Sequence, residues 1–457
     1  MESTISNAKD LVKVGFVTVA SGELNLSYVK KLTGKIKDRL KTYRINIIET
    51  EDIITNLNLG WRAIKKFERE NIDLLLIVCG TWAPDFLVSN MAKHLRVPLL
   101  MWAPPEPLNV EKLPEIGSLV GLTQTAGVLV KLGNWLKPIF DPPEEEASYK
   151  EIELTLKVVA TIKKLQNARI GILSKGSPGM FDTDYNPLQL FKIMGPETIF
   201  ISIATLEEEI KKISPKQAID EADRDIKKYG QIMEPSKDQI VQANKIYLAL
   251  KEIIQRESID GIAVRCWPEL KELKIMSPCL ALSKLTEEGI MAGCEGDITG
   301  VVSMLILNTL TGRPSFLGDF LKLDEENNVG LMYHCGASAA GLAENYSKVH
   351  LGLNLATSVW KSGVTVEFSV KPGIATLARL GESNGEYRMI VTQGEILKAP
   401  MFCRGNTVKM KFRTPVKEVL RGLIKNGAEH HQILVHGDIK KELSEFGELA
   451  KIKILHI

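Results

Sequence analysis

The sequence predicts an α/β protein: two doubly wound parallel-sheet domains followed by a β-rich C-terminal domain. Three observations predict it. Short apolar runs alternate with amphipathic helical stretches as far as Gly312, and strictly alternating apolar and polar stretches take over beyond it. A chain of 457 residues also exceeds what one hydrophobic core usually serves, so about three domains are expected.

The first domain, residues 1–147, rests on apolar runs at 14–19, 45–48, 72–78 and 98–102, with a Lys-rich amphipathic stretch after the first. That is the rhythm of a parallel sheet wrapped by helices. Residues 138–146, with Pro138, Pro142 and Pro143 before an acidic run, read as a surface linker. The second domain, 148–312, repeats the rhythm with strands at 169–173, 198–203 and 261–266 and a long helix at 236–256. A helix from Pro278 and a short strand ending at Cys294 follow. Asp297 is placed to cap a helix over 298–310 whose apolar residues surround its axis, so that helix should be buried; Gly312 is placed to end it. The third domain, 313–457, alternates at 364–370, 387–392 and 407–412, the second of these after the hairpin signal Asn384-Gly385. A helix from Thr414-Pro415 to Gly427, a strand at 432–435 and a last helix and strand complete it.

Composition narrows the function. The formal net charge is +2, with acids and bases mixed along the chain, so there is no broad positive field to hold nucleic acid or an anionic membrane; a small substrate fits better. The first ten residues lack the pattern of a signal peptide, and no apolar run approaches the roughly 20 residues of a membrane span, which makes the cytoplasm the expected location. Six cysteines without paired spacing suggest neither a disulfide framework nor a zinc knuckle, and read as core residues of a reducing compartment. There is no Walker A sequence, no GxGxxG after the early strands, no HExxH, no CxxC and no GxSxG, so nicotinamide chemistry is not expected. The loop 175–179 reads as a turn or as a loop bent around a ligand.

The strongest local signal is Ala292-Gly293-Cys294-Glu295-Gly296-Asp297, a strand end followed by glycine and a buried helix. A carboxylate there stands at the carboxyl end of a strand in an open α/β sheet, where ligands bind. Glu295 reads either as a functional acid or as a structural one accepting backbone hydrogen bonds, and Asp297 as a helix cap rather than a catalyst. Asp319, between Leu317 and Phe320 and just after a glycine, is a site residue or a turn aspartate. Glu429-His430-His431-Gln432 leads into an apolar strand, where side chains alternate, so one of the two histidines at most should face a given site. A capping or supporting pair is the alternative. Two carboxylates and an imidazole would leave open positions on a divalent ion for two substrate oxygens, ligation that suits Mn²⁺ or Mg²⁺.

The run over 294–319, CEGDITGVVSMLILNTLTGRPSFLGD, resembles the signature segment of the L-fucose isomerase family, whose more distant relatives include the L-arabinose isomerases. Arg265-Cys266-Trp267-Pro268, Pro278-Cys279, His334-Cys335-Gly336 and the terminal His-His cluster fall in the family's order. In the first 150 residues the likeness is general, with Cys79-Gly80-Thr81-Trp82 its best local echo. The resemblance implies that Glu295 and Asp319 bind the metal and form the acid/base pair, and that His431, by its distance to Gly437, is the third ligand rather than His430. His334 would bind a sugar hydroxyl or a metal-bound oxygen, or be a core histidine. Trp82 would stack on a sugar ring in a neighbouring subunit, or be a core tryptophan. A homo-oligomer, a hexamer, is implied, with the first domain closing over a neighbour's site. The expected reaction is metal-dependent aldose–ketose isomerisation of an unphosphorylated sugar of the L-fucose or L-arabinose type, through an enediol, with Mn²⁺ or another divalent cation. The alternatives are a non-catalytic sugar-binding or regulatory protein on the same scaffold, and an epimerase or lyase using the same metal site.

Overall fold

The computed structural model describes residues 12–43, 45–106, 116–174, 176–354 and 362–457. The N-terminal stretch considered as a signal peptide, and Lys175 of the loop 175–179, lie outside the described residues. The chain divides into two compact units, Met1–Thr161 and Ile162–Ile457.

The first unit holds five strands, β1 (Lys13–Val19), β2 (Asn46–Glu49), β3 (Leu74–Cys79), β4 (Leu99–Trp102) and β5 (Leu136–Ile139). They form a parallel sheet in the order β2-β1-β3-β4-β5. Every residue of β3 is apolar and buried, as a central strand covered on both faces requires. The stretch read as a linker from residue 138 begins with this sheet's last strand. Pro138 is tolerated in β5 because an edge strand has one row of donors that no ladder needs.

The second unit carries a four-stranded parallel sheet of β6 (Arg169–Leu173), β7 (Glu197–Ile201), β9 (Gly261–Val264) and β10 (Met291–Cys294), in the order β10-β9-β6-β7. The two-residue β8 (Gln231–Ile232) belongs to the other sheet. Helix Lys237–Arg256 starts where Ser236 and Gln239 form a reciprocal capping box, which satisfies two of the donors that a helix start leaves bare. Helix Ile298–Thr311 runs from Asp297, whose side chain accepts from Gly300 N–H, to Gly312 in the left-handed region at φ 66°. It is buried all round from Ile298 to Leu307, because it packs against β9 and β10 and also against β15 (Gly373–Ser383) and β18 (Gln432–His436).

The remaining strands of the unit are β11 (Phe316–Asp324), β12 (Val329–His334), β13 (His350–Leu353), β14 (Val364–Ser369), β16 (Glu386–Ile396), β17 (Asn406–Phe412) and β19 (Lys453–His456). The ten-stranded sheet runs β19-β16-β15-β18-β11-β12-β17-β14-β13-β8, and a further pairing of β16 with β17 closes six of these strands into a ring. Closure removes the exposed edges that an open sheet would present. Phe316, Met332, Leu377, Ile390, Met410 and Leu434 pack together in its core. Among the described residues no helix is long and apolar enough to cross a membrane.

Candidate active site

Glu295 follows the last residue of β10, and its backbone lies in the left-handed region at φ 59°, with Gly296 next at φ 74°. A non-glycine residue there costs roughly 1–2 kcal/mol, a strain that clusters at sites where one side chain must be turned off the strand. The turn carries the Glu295 carboxylate to two histidines. His430 Nε2 lies 3.2 Å from Glu295 Oε2, and His431 Nε2 lies 3.6 Å from the same oxygen. Burial works to raise the Glu295 carboxyl, but the hydrogen bond from His430 and the surrounding imidazoles outweigh it and hold it below the usual range.

The expectation that His430 and His431 face opposite ways is overturned. The β18 ladder begins at Gln432, so the two histidines precede the pleat and are not bound by its alternation; their ring centroids are 4.1 Å apart. The two rings nevertheless have different roles. His430 is partly exposed, and both its backbone N–H (2.9 Å) and its Nδ1 (2.6 Å) reach Asp182 Oδ2. With the Glu295 hydrogen bond as the main cause, opposed by burial and helped by Asp182, its pKa is pushed up to about 9, so the ring donates from both nitrogens at neutral pH.

His431 is fully buried. Its Nδ1–H donates to Asp297 Oδ2 at 3.0 Å, which makes Nε2 the lone-pair nitrogen of the ring. Burial would raise the Asp297 carboxyl, but Arg379 and His431 outweigh it and hold it well below the carboxylate range. Asp297 Oδ1 accepts from Arg379 Nη2 at 2.9 Å, and both side chains are fully buried. The helix cap is therefore also the group that sets the tautomer of His431. Arg379→Met should destabilise the fold by about 3–5 kcal/mol, because it strands a buried carboxylate without its cation. Urea denaturation monitored by circular dichroism would read this, and an unchanged midpoint would show the pair to be dispensable.

Strand register places the second carboxylate. β11 and β18 pair as far as Gly318 opposite Gln432, and the next residues out from that pair, Asp319 and His431, bring their donor atoms within 4.8 Å of each other. Asp319 Oδ1 is buried with no hydrogen-bond partner among the described residues, an orphaned oxygen that a bound cation would account for. Gly318 is required beside it, since a Cβ there would fall 2.6 Å from the backbone oxygen of Tyr333. His334, at the end of β12, brings its Nε2 within 3.4 Å of His431 Nε2. Two donor groups of metal-binding spacing thus share His431, one with Glu295 and His430, the other with Asp319 and His334. An orphaned carboxylate oxygen, an imidazole lone pair and a second carboxylate fit a divalent cation.

A cavity of about 170 Å³ opens on this cluster. Ser177, Met180, Cys266, Trp267 and Glu295 line it from the carboxyl ends of the parallel strands, and Asp319, Tyr333, His334 and Asn354 from the β-rich sheet. The fifth residue named from the sequence, Trp82, belongs to the first unit, where it is 38% exposed and its Nε1–H donates to Gln124 Oε1 at 2.9 Å.

A profile described as L-fucose isomerase, C-terminal domain, matches residues 332–457. A sulfoquinovose isomerase from Alkalicoccus urumqiensis is 30% identical over 388 residues, covering 84% of this chain and 86% of that protein. The chain belongs to the L-fucose isomerase-like family of sugar isomerases. A second family member, the sulfoquinovose isomerase of Priestia aryabhattai, is 26% identical over 439 residues, covering 96% of this chain and 97% of that protein. Among solved structures, the periplasmic binding protein component of the arabinose ABC transporter from Shewanella sp. ANA-3 matches at 12% identity over 66% of this chain and 87% of that one, with a TM-score of 0.18, which carries no argument.

This member of the family is an aldose–ketose isomerase, which sets aside the non-catalytic alternative. Sequence reasoning missed three contributors to its cluster. Arg379 left a signal, a lone arginine inside the apolar strand β15, which calls for a buried partner. Asp182 left none, being 248 residues from the histidine it holds. Asp297 shows its cap in the sequence but not its hold on His431.

Proposed function

We propose that the enzyme isomerises sulfoquinovose, a sulfonated aldohexose, in place of the L-fucose- or L-arabinose-type sugar expected from the resemblance. The relatives matched over most of their length carry that substrate in their names. The observation that carries the chemistry is that Glu295 and Asp319 both line the cavity and that each has a donor atom within 4.8 Å of one from the same residue, His431. In this reading Glu295, Asp319 and His431 hold a divalent cation, Mn²⁺ or another, which when bound supplies positive charge against the developing enediolate.

The chain's own groups perform the proton transfers. Isomerisation moves one proton between C2 and C1 and one between the two oxygens. Glu295 and Asp319 are the two carboxylates available to take and return them, each such transfer being worth about 10²- to 10⁴-fold. His430, charged and tied to Asp182, orients the Glu295 carboxylate. His334 binds a sugar hydroxyl, and Trp82, exposed on the first unit, supplies a stacking face in a homo-oligomer, a hexamer whose mass light scattering would report. Six free thiols suit a cytoplasmic setting.

Ketose formation from sulfoquinovose, L-fucose and L-arabinose in the presence of Mn²⁺, before and after exhaustive chelation, tests the reading. Sulfoquinovose should have the highest kcat/KM, and chelation should abolish turnover. A higher value for L-fucose would overturn the substrate, and full activity after chelation would overturn the cation.

A further inference from the structure

Four of the six cysteines meet beside this cluster, although no two of them are near in sequence. Cys266 follows β9, Cys294 ends β10, Cys335 follows β12, and Cys279 begins the helix Cys279–Glu287. Cys266 Sγ lies 3.9 Å from Cys294 Sγ, and Cys279 Sγ lies 3.9 Å from Cys335 Sγ. Between these pairs, the donor atoms of Cys294, Cys335 and His334 all fall within 4.8 Å of one another.

A buried free thiol is usually a small apolar filler, and that role asks nothing of its neighbours. Here an imidazole nitrogen is directed at sulfur. His334 turns Nε2 toward His431, but its Nδ1 lies 3.4 Å from Cys335 Sγ. Nitrogen and sulfur bound to one tetrahedral zinc-type ion, at about 2.0–2.1 and 2.3 Å, would be roughly 3.5 Å apart. The spacing is that of two ligands on one ion. Ligand softness separates this set from its neighbour, since two thiolates and an imidazole select zinc-type cations, whereas carboxylates select Mn²⁺ and Mg²⁺.

We propose that Cys294, Cys335 and His334 Nδ1 form a second cation site, specific for a thiophilic divalent ion of the zinc and cadmium type, sharing the His334 ring with the sugar cavity. Each thiol releases its proton to solvent as its bond to the cation forms. Cys266 and Cys279 flank the two sulfur ligands. Occupancy holds the His334 ring from behind through Nδ1, with Nε2 still turned toward His431, and leaves Glu295, Asp319 and His431 untouched. The binding itself does not depend on what reaction the enzyme performs.

The Mn²⁺-loaded enzyme, kept under a phosphine reductant, is titrated with Cd²⁺ while the thiolate-to-metal charge-transfer absorption is followed. Wild type should develop the band with one equivalent. Cys294→Ser and Cys335→Ser should each lose more than the roughly 10- to 100-fold in affinity expected of a group that merely supports a ligand. Cys79→Ser, which alters a buried thiol of the first unit, should leave the band intact. X-ray absorption at the cadmium edge on the wild-type complex covers the case in which a serine variant fails to fold, and should show sulfur and nitrogen neighbours. No band in wild type, a band indifferent to Cys294 and Cys335, or an all-oxygen shell would each overturn the site.

Discussion

Glu295→Gln and Asp319→Asn should each lower kcat by about 10²- to 10⁴-fold, the range for a group that moves a proton in the transition state, with little change in fold. Each amide keeps the shape of the acid but can neither carry the proton nor supply charge to a cation. The two variants differ in what else they disturb. In Glu295→Gln the partner of His430 loses its charge, and since that hydrogen bond is the main cause of the raised imidazole pKa, His430 should titrate lower than in wild type. In Asp319→Asn the affected oxygen has no hydrogen-bond partner in the described structure, so no compensating contact is lost within the protein. Steady-state kinetics on both variants, with circular dichroism to confirm folding, would check this. Wild-type turnover in either would end the acid/base assignment.

His431→Ala should all but remove high-affinity Mn²⁺ binding, whereas His430→Ala should cost at most the roughly 10- to 100-fold expected of a group that orients a ligand. The two rings differ in what each can offer a cation. His431 is held through Nδ1 by Asp297, keeps its lone pair on Nε2, and is common to the Glu295 and Asp319 donor groups. His430 is doubly hydrogen-bonded between Asp182 and Glu295, so both nitrogens carry protons and neither has a lone pair to give. Isothermal titration of Mn²⁺ into both variants decides the matter. Equal losses would mean that both rings coordinate, and a larger loss at His430 would reverse the roles.

The sequence by itself determined the elements and where chemistry could sit. The strand Arg169–Leu173, the buried helix capped by Asp297 and ended by Gly312, and the hairpin at Asn384-Gly385 are all local patterns, in which a cap, a period or a turn residue lies within a few positions of what it controls. Glu295 was visible for the same reason, as an acid between a strand end and a helix start.

What only the tertiary structure decided is everything carried by pairing across the chain. Closure of six strands into a ring depends on β16 meeting β17 and β11 lying between β12 and β18, and a period-2 pattern states which face of a strand is buried but not which strand is its neighbour. That pairing, which ends at Gly318 and Gln432, is what brings the neighbouring Asp319 and His431 together. It also carries Arg379 to Asp297 across 82 positions and Asp182 to His430 across 248, contacts with no trace in any local window. The two histidines are the plainest case: alternation along a strand separates neighbours only once the ladder has begun, and the ladder begins at Gln432, after both of them.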